Sequence, residues 1–397
     1  MPDTERAVPL ALPDIGAAEE AEVLEVLRTG RLALGPKTQE FERLVAGFTG
    51  MPWAAAVSSG TAGLHLAVRS LGIGHDDCVV TASFSFIASA NCIAYEGAQP
   101  VFVDIDPRTL CMSPEALGAY LESCKEADDG LHDPVTHRRV AAVEPVDMFG
   151  HPVQLERIRE LTTPWQIPIV SDTCEALGSR WRRDDGSWVH AGTLADAAVF
   201  AFYPNKQIAT GEGGMVVGSH PDIDEKILSY RNQGRRPGDA WLNHTRIGFN
   251  YRISELQSAL GVAQMRRIDE ILAKRAAVAA AYDEAFADVD RIETPWHAEW
   301  ADPAWFVYHL RLAPGLDRNR LVERLNREGV ESKAYFSPPI HEQPPYAGRS
   351  DMVPAPLPVT EDASSRILIL PFFSTMSSDQ IARVVDVVKA LLDGDGA

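Results

Sequence analysis

Cysteine is scarce in this 397-residue chain and shows no pairing pattern. Cys78, Cys92, Cys111, Cys124 and Cys174 are odd in number and include no Cys-x-x-Cys spacing, which excludes a disulfide framework and a thiolate zinc site and points to the cytoplasm. Positive charge is also in short supply. With 37 Lys and Arg against 56 Asp and Glu, a formal net charge of −19, the surface does not suit nucleic acid or an anionic membrane, and small molecules are the expected partners. No apolar run reaches the roughly 20 residues of a membrane-spanning helix. Met1–Arg6 is acidic early and lacks an apolar stretch, so neither signal peptide nor anchor is expected. The eleven histidines form no helical His-x-x-x-His pair, and His132 and His137 fall in a polar stretch beside Pro134, so no metal site is expected.

What is present is a soluble globular composition, 45% hydrophobic and 23% charged, in a chain long enough for a large domain and a smaller one. After an amphipathic helix near Glu19–Thr29, six apolar runs read as buried strands: Ala54–Val57, Cys78–Thr81, Pro100–Val103, Val140–Val146, Pro168–Ser171 and Ala197–Phe202. They lack polar alternation and are bounded by turn residues. Helical spacing between them, as in Leu64, Val68 and Leu71, predicts an α/β domain with a mainly parallel sheet. From Ile253 the pattern turns helical, with Ile253, Leu256 and Leu260 on one face and a long helix through Ile271–Phe286. An α+β region follows: a strand near Val307–Leu312, a helix near Arg318–Glu328, and a last helix whose capping box pairs Ser377 with Gln380. These shifts predict a large domain over residues 1–275 and a small one over 276–397. Lys125–Arg139 and Arg182–Ser187 read as surface loops.

Three junctions carry chemistry. Ser58-Ser59-Gly60-Thr61-Ala62-Gly63-Leu64 follows a strand and opens a helix; its small residues would let a phosphate reach free backbone N–H groups, or they form only a tight turn. Ile169-Val170-Ser171-Asp172 is an apolar strand ending in an acid, placed to face the crevice beyond the strand ends or else to cap a helix. Phe202 to Gly214 sets Lys206 between an apolar strand and a glycine-rich turn, where a buried amine could form an imine. A phosphate turn, a strand-end acid for a protonated pyridine nitrogen and a strand-end lysine are the three contacts that pyridoxal phosphate (PLP) needs. Phe84 and Phe86 follow another strand, where an aromatic could stack on a flat ring. Arg231, Arg235, Arg236 and Arg246 gather in one polar stretch, suited to a diphosphate or simply solvated.

These blocks, with Gly35-Pro36, the run Gly97 to Asp104, the run Gly248 to Glu255 and Pro338-Pro339-Ile340-His341, resemble the DegT/StrS family of PLP-dependent sugar aminotransferases nearly end to end. The resemblance implies a fold-type I, aspartate-aminotransferase-like subunit, a large α/β domain flanked by helices with a smaller α+β domain, working as a homodimer with shared active sites. It assigns Lys206 as the catalytic, cofactor-carrying lysine and Asp172 as the partner of the pyridine nitrogen. Glu175 would face the phenolic oxygen, Phe86 would cover the ring, and Gly60, Thr61 and Ala62 would cradle the phosphate. Asn250 would reach the phosphate of the partner subunit's site, and Arg235, Arg236 and His341 would contact substrate. The implied reaction moves an amino group from glutamate or glutamine to a keto sugar, expected to be nucleotide-linked, in secondary metabolism or polysaccharide biosynthesis. A keto-cyclitol acceptor and a non-catalytic regulatory protein are the alternatives. Lysine at position 206, where dehydrating relatives have histidine, favours amino transfer. Three positions depart from the pattern: Ala201 where serine is frequent, Glu175 where glutamine is common, and Asp147 where histidine is common.

Overall fold

The computed structural model describes residues 7–394; Met1–Arg6, on which the expectation about a signal peptide rests, lie outside the described residues. Seven strands build the central sheet: β1 Trp53–Val57, β2 Asp77–Ala82, β3 Gln99–Val103, β4 Arg139–Glu144, β5 Val170–Asp172, β6 Ala197–Ala201 and β7 Gly214–Gly218. Their order is β1-β7-β6-β5-β4-β2-β3, the β4–β5 step being made by the parallel bridges Val143 to Ile169 and Val146 to Asp172. Pairing is parallel from β6 through β3, and only β7 runs against its neighbours. Helices cover both faces, so successive strand residues enter different apolar layers. Ala198 and Phe200 of β6 pack on one side, and Ala197 and Val199 on the other. That is why these runs lack polar alternation.

Parallel strands all deliver their carboxyl ends to one edge of the sheet, and that edge holds the site. Asp172 is the last residue of β5, and Ala201, the last of β6, leads into the loop that carries Lys206. The loop is pinned by Lys206 N–H to Tyr203 C=O (2.9 Å), Thr210 N–H to Phe202 C=O (2.9 Å) and Phe202 N–H to Gly213 C=O (3.0 Å). Gly211 turns it at φ +83°, a left-handed conformation that a side chain would strain.

A second core gathers Val8, Tyr282, Tyr308, Leu310, Leu368, Leu370, Val384 and Val388. It lies under a three-stranded sheet of Ile292–Glu293, Tyr308–Leu312 and Ile367–Leu370. The helix Ile268–Phe286 serves both cores, placing Ile268 and Ile271 in the first and Val278, Tyr282 and Phe286 in the second. Between them Arg275 is buried, donating to the carbonyls of Trp305 (2.8 Å) and Phe306 (2.7 Å).

The structure differs from the sequence reading in three places. Lys125–Arg139 is not a plain loop but contains a hairpin of Lys125–Ala127 and Gly130–His132. The glycine-rich turn after Lys206 gives way to β7 at Gly214 itself, because Met215-Val216-Val217 is apolar enough to join the core. In the helix Glu255–Arg266, Ala259, Val262 and Ala263 are fully or almost fully buried, while Leu256 and Leu260 are half-buried. Small residues face inward there because the helix crosses the helix Pro36–Thr49 closely: a Cβ on Gly261 would lie 2.6 Å from the Phe41 ring.

Candidate active site

A cavity of about 700 Å³ opens at the carboxyl edge, lined by Gly60, Thr61, Phe86, Asp172, Glu175 and Lys206. Segments far apart in the sequence meet here because each follows a strand of the same sheet. Asp172 is 5% exposed, and its oxygens are oriented by the Ser89 hydroxyl on Oδ2 (2.8 Å) and the Cys174 N–H on Oδ1 (3.2 Å). It caps no helix, since a turn follows it. Lys206, with 13% of its side chain exposed, places Nζ 3.4 Å from Glu175 Oε1 and 3.8 Å from the centroid of the Phe306 ring. An ammonium is attracted to that ring face.

Glu175 is buried and also accepts the Phe149 N–H on Oε2 (2.9 Å). Burial raises its carboxyl above the usual range, opposed by the Lys206 charge and the Phe149 N–H. The glycine at position 60 has a steric reason: a Cβ there would lie 2.7 Å from Ala201 Cβ and 3.0 Å from Cys174 Sγ. Helix Gly60–Ser70 is capped by Ser59, whose hydroxyl accepts the Ala62 N–H (3.1 Å). Ala62 is therefore already engaged, and the free donors at this helix start are the first N–H groups, those of Gly60 and Thr61. Phe86 is 61% exposed along the cavity, whereas Phe84 is fully buried against Phe149 and Phe336.

Other expected residues lie elsewhere. Asn250 is exposed, bridges by its backbone to Asn232, and does not line this cavity. Arg235 donates to Trp241 C=O (3.2 Å) and Asn232 Oδ1 (3.1 Å) and stacks on the Trp241 ring, while Arg236 pairs with Glu225 (3.0 Å). Arg231 is held by Glu42 Oε1 (2.5 Å) and Ala56 C=O (2.6 Å), and Arg246 by Glu225 (2.7 Å). His341 binds Ser83 instead of lining the cavity: its ring Nδ1 is 2.7 Å from the hydroxyl, which also accepts its N–H (2.9 Å). That contact fastens the Ser337–Ile340 segment beside the loop bearing Phe86. Phe306, Tyr335, Phe336 and Gln343, all from the second half of the chain, line the cavity without having been singled out. Nothing local in the sequence marks them, although an aromatic pair such as Tyr335-Phe336 ahead of Pro338 is a faint signal.

A half-buried lysine and a strand-end carboxylate share one sheet edge, over the start of a helix that only glycine fits, and the fold that carries them is that of the aminotransferases. Within that class the chain belongs to the DegT/DnrJ/EryC1/StrS aminotransferase family, whose description matches residues 13–389. It is 33% identical to GDP-perosamine synthase of Caulobacter vibrioides over 97% of this chain and 98% of that protein. DesV of S. venezuelae, solved in complex with a ketimine intermediate, superposes with a TM-score of 0.86 at 29% identity, covering 99% of this chain and 100% of that one. A sugar aminotransferase of Streptococcus pneumoniae, Spr1654, solved in its PLP form, gives 0.85 at 25% identity, covering 97% and 98%.

Proposed function

We propose that this protein is a PLP-dependent aminotransferase that moves an amino group from glutamate or glutamine to a nucleotide-linked keto sugar. The observation that carries the reading is Lys206 and Asp172 in one cavity, with the open start of helix Gly60–Ser70 beside them. The donor set fits the cofactor: two unengaged backbone N–H groups for a phosphate, a hydrogen-bonded carboxylate for a pyridinium, and an amine for an aldehyde. Bound there, PLP supplies an aldehyde that takes up amines and a ring that withdraws electrons from the adjoining carbon.

The chain's own residues do the rest. Asp172, fixed by Ser89 and Cys174, favours a proton on the ring nitrogen. Lys206 Nζ would hold the cofactor's aldehyde carbon and, as a free amine, would serve as the base that takes the proton from the substrate carbon. Glu175 would face the phenolic oxygen, with its Oε1 in contact with Lys206 Nζ (3.4 Å) and its Oε2 held by the Phe149 N–H (2.9 Å). Phe86 offers a ring face, and Gly60 with Thr61 offers N–H groups at the positive end of a helix dipole.

A second copy of the chain completes the site in this reading. Asn250 is exposed on a loop whose Leu242 and Ile247 are 80% and 82% exposed, an apolar surface that suits burial against a partner. GDP-perosamine synthase among the relatives supports a nucleotide on the acceptor. The test is absorbance and turnover: the purified protein should show a PLP band bleached by glutamate, and a keto-sugar panel should identify the acceptor. Lys206→Ala should lose about 10³-fold or more in kcat. Multiple turnovers by that variant at the parental rate would refute the assignment.

A further inference from the structure

Asp172 is not the only acid at its end of the cavity. Beneath the cavity lining, on the neighbouring segment, lie Glu144, the last residue of β4, and Asp147, three positions past it, both 1% exposed or less. The Asp147 N–H donates to Asp172 C=O (3.0 Å), and the Asp172 N–H donates to Pro145 C=O (2.9 Å), so the two segments are locked together. Their side chains are treated differently. Asp172 receives a hydroxyl and an N–H, one on each oxygen. Asp147 receives the Val153 N–H on Oδ1 (2.7 Å), and its buried Oδ2 has no partner among the described residues. Glu144 meets only the Cys92 thiol on Oε2 (3.3 Å), and its Oε1 has none.

Carboxylates crowded in a dry site cannot all ionise, and the one with the best donors keeps the charge. We propose that Asp147 is a positioning residue: a neutral carboxylic acid on the backbone segment locked to Asp172, next to Asp172's bridge partner Val146, its proton leaves Asp172 as the charged carboxylate that faces the ring nitrogen. This rests on the PLP reading only for what Asp172 faces; the protonation of Asp147 is a property of the protein alone. Burial, with the like charges of Asp172 and Glu175, pushes the Asp147 carboxyl up to about 8 against the pull of the Val153 N–H. The groups acting with it are the Asp172 and Glu175 carboxylates and the buried Cys111 thiol; Lys206 is paired with Glu175. The folded protein therefore holds a proton that the unfolded chain releases above 3.8. Folded stability contributed at this position falls as pH rises from there to about 8.

The experiment compares Asp147→Asn with the parent, first without cofactor. Asparagine keeps an acceptor for Val153 and cannot ionise, so the variant's melting temperature should gain on the parent's by at least ~2 °C between pH 5 and 8.5. In an Asp172→Asn background that gain should shrink, because one like charge is gone. A pH-independent gap, or an undiminished gain in that background, overturns the proposal. With PLP bound, the parent's absorbance should show an alkaline transition near pH 8 that Asp147→Asn lacks; identical titrations overturn the link to Asp172. Failure to bind PLP at all would sink the proposed function and leave the melting series to decide the protonation. If Asp147→Asn does not fold, Asp147→Ser, which also accepts an N–H and cannot ionise, makes the same comparison.

Discussion

The floor of the cavity and the arginine-bearing loop over residues 231–252 treat charge in opposite ways. Asp172 and Glu175 on the floor, and Glu144 and Asp147 beneath it, are each 6% exposed or less, and Lys206 is the one cation among the described residues lining the cavity. In the loop, Arg231 and Arg246 are committed to Glu42 and Glu225, but Arg235 and Arg252 meet only neutral oxygens, those of Asn232, Gln233 and Trp241. Both line a separate cavity of about 310 Å³, together with Arg231. Among the described residues neither of these two arginines has a carboxylate partner, so each keeps a charge that an anion could neutralise. The charges of the floor are partnered within this chain; those of the loop are in part left open. Its exposed Trp241, Leu242, Ile247 and Asn250 fit a second copy, and its two unneutralised arginines fit an anion.

The comparison breaks first at the floor. Asp172→Ala removes the carboxylate proposed to hold a ring nitrogen protonated, while the Ser89 hydroxyl keeps the Phe86 carbonyl (3.2 Å) as an acceptor, so kcat should fall about 10²–10³-fold with melting temperature changed little by comparison. Single-turnover kinetics with glutamate measures this. A loss confined to KM would mean that Asp172 serves binding and not the ring.

The loop is tested by mixing. If Asn250 acts across a dimer, Asn250→Ala should weaken PLP by ~10-fold, consistent with losing one hydrogen bond to an anion. Co-refolded with Lys206→Ala and assayed at limiting PLP, where sites lacking Asn250 stay largely empty, it should recover roughly a quarter of parental activity, because half the dimers are mixed and each of those keeps one intact site. No recovery would confine Asn250 to its own subunit. Arg235 and Arg236, which the sequence treats alike, then separate. Arg236 is spent on an exposed pair with Glu225, whereas Arg235 has no acid, so Arg235→Ala should raise the acceptor KM ~10-fold and Arg236→Ala less than about 2-fold. Equal effects would erase the distinction.

How much of this was legible depended on whether the signal was local. Strand ends were readable because a doubly covered strand is apolar throughout and stops where a polar residue meets the crevice, as at Asp172. β7 escaped notice because three apolar residues between glycines look like a turn. Ile367–Leu370 escaped for a similar reason, following a short helix with no glycine or proline between them. The support of the site was beyond reach: Ser89 meets Asp172 across 83 positions, and Phe306, which meets Lys206, is held by Arg275 on its carbonyl and by the Phe149 carbonyl on its N–H. Contacts of that kind follow from the packing of the sheet and leave no period in the sequence.

Ala201 gives the smallest and most discriminating test of the floor. It ends β6, lines the cavity, and sits so close to Gly60 that the two share a space with room for one methyl group between them. The missing hydroxyl is therefore missing beside the helix start offered for the phosphate. Ala201→Ser can turn its Oγ toward the cavity, since the Cβ already lies on its wall, and a neutral hydrogen bond there is worth about 1 kcal/mol. PLP affinity, measured by equilibrium titration of the apoprotein, should then tighten ~5-fold, with kcat changed less than about 2-fold. Weaker binding would mean that the hydroxyl is forced against Gly60. In that case Ala201 is small for the same steric reason as the glycine, and the two positions act as one fitted pair.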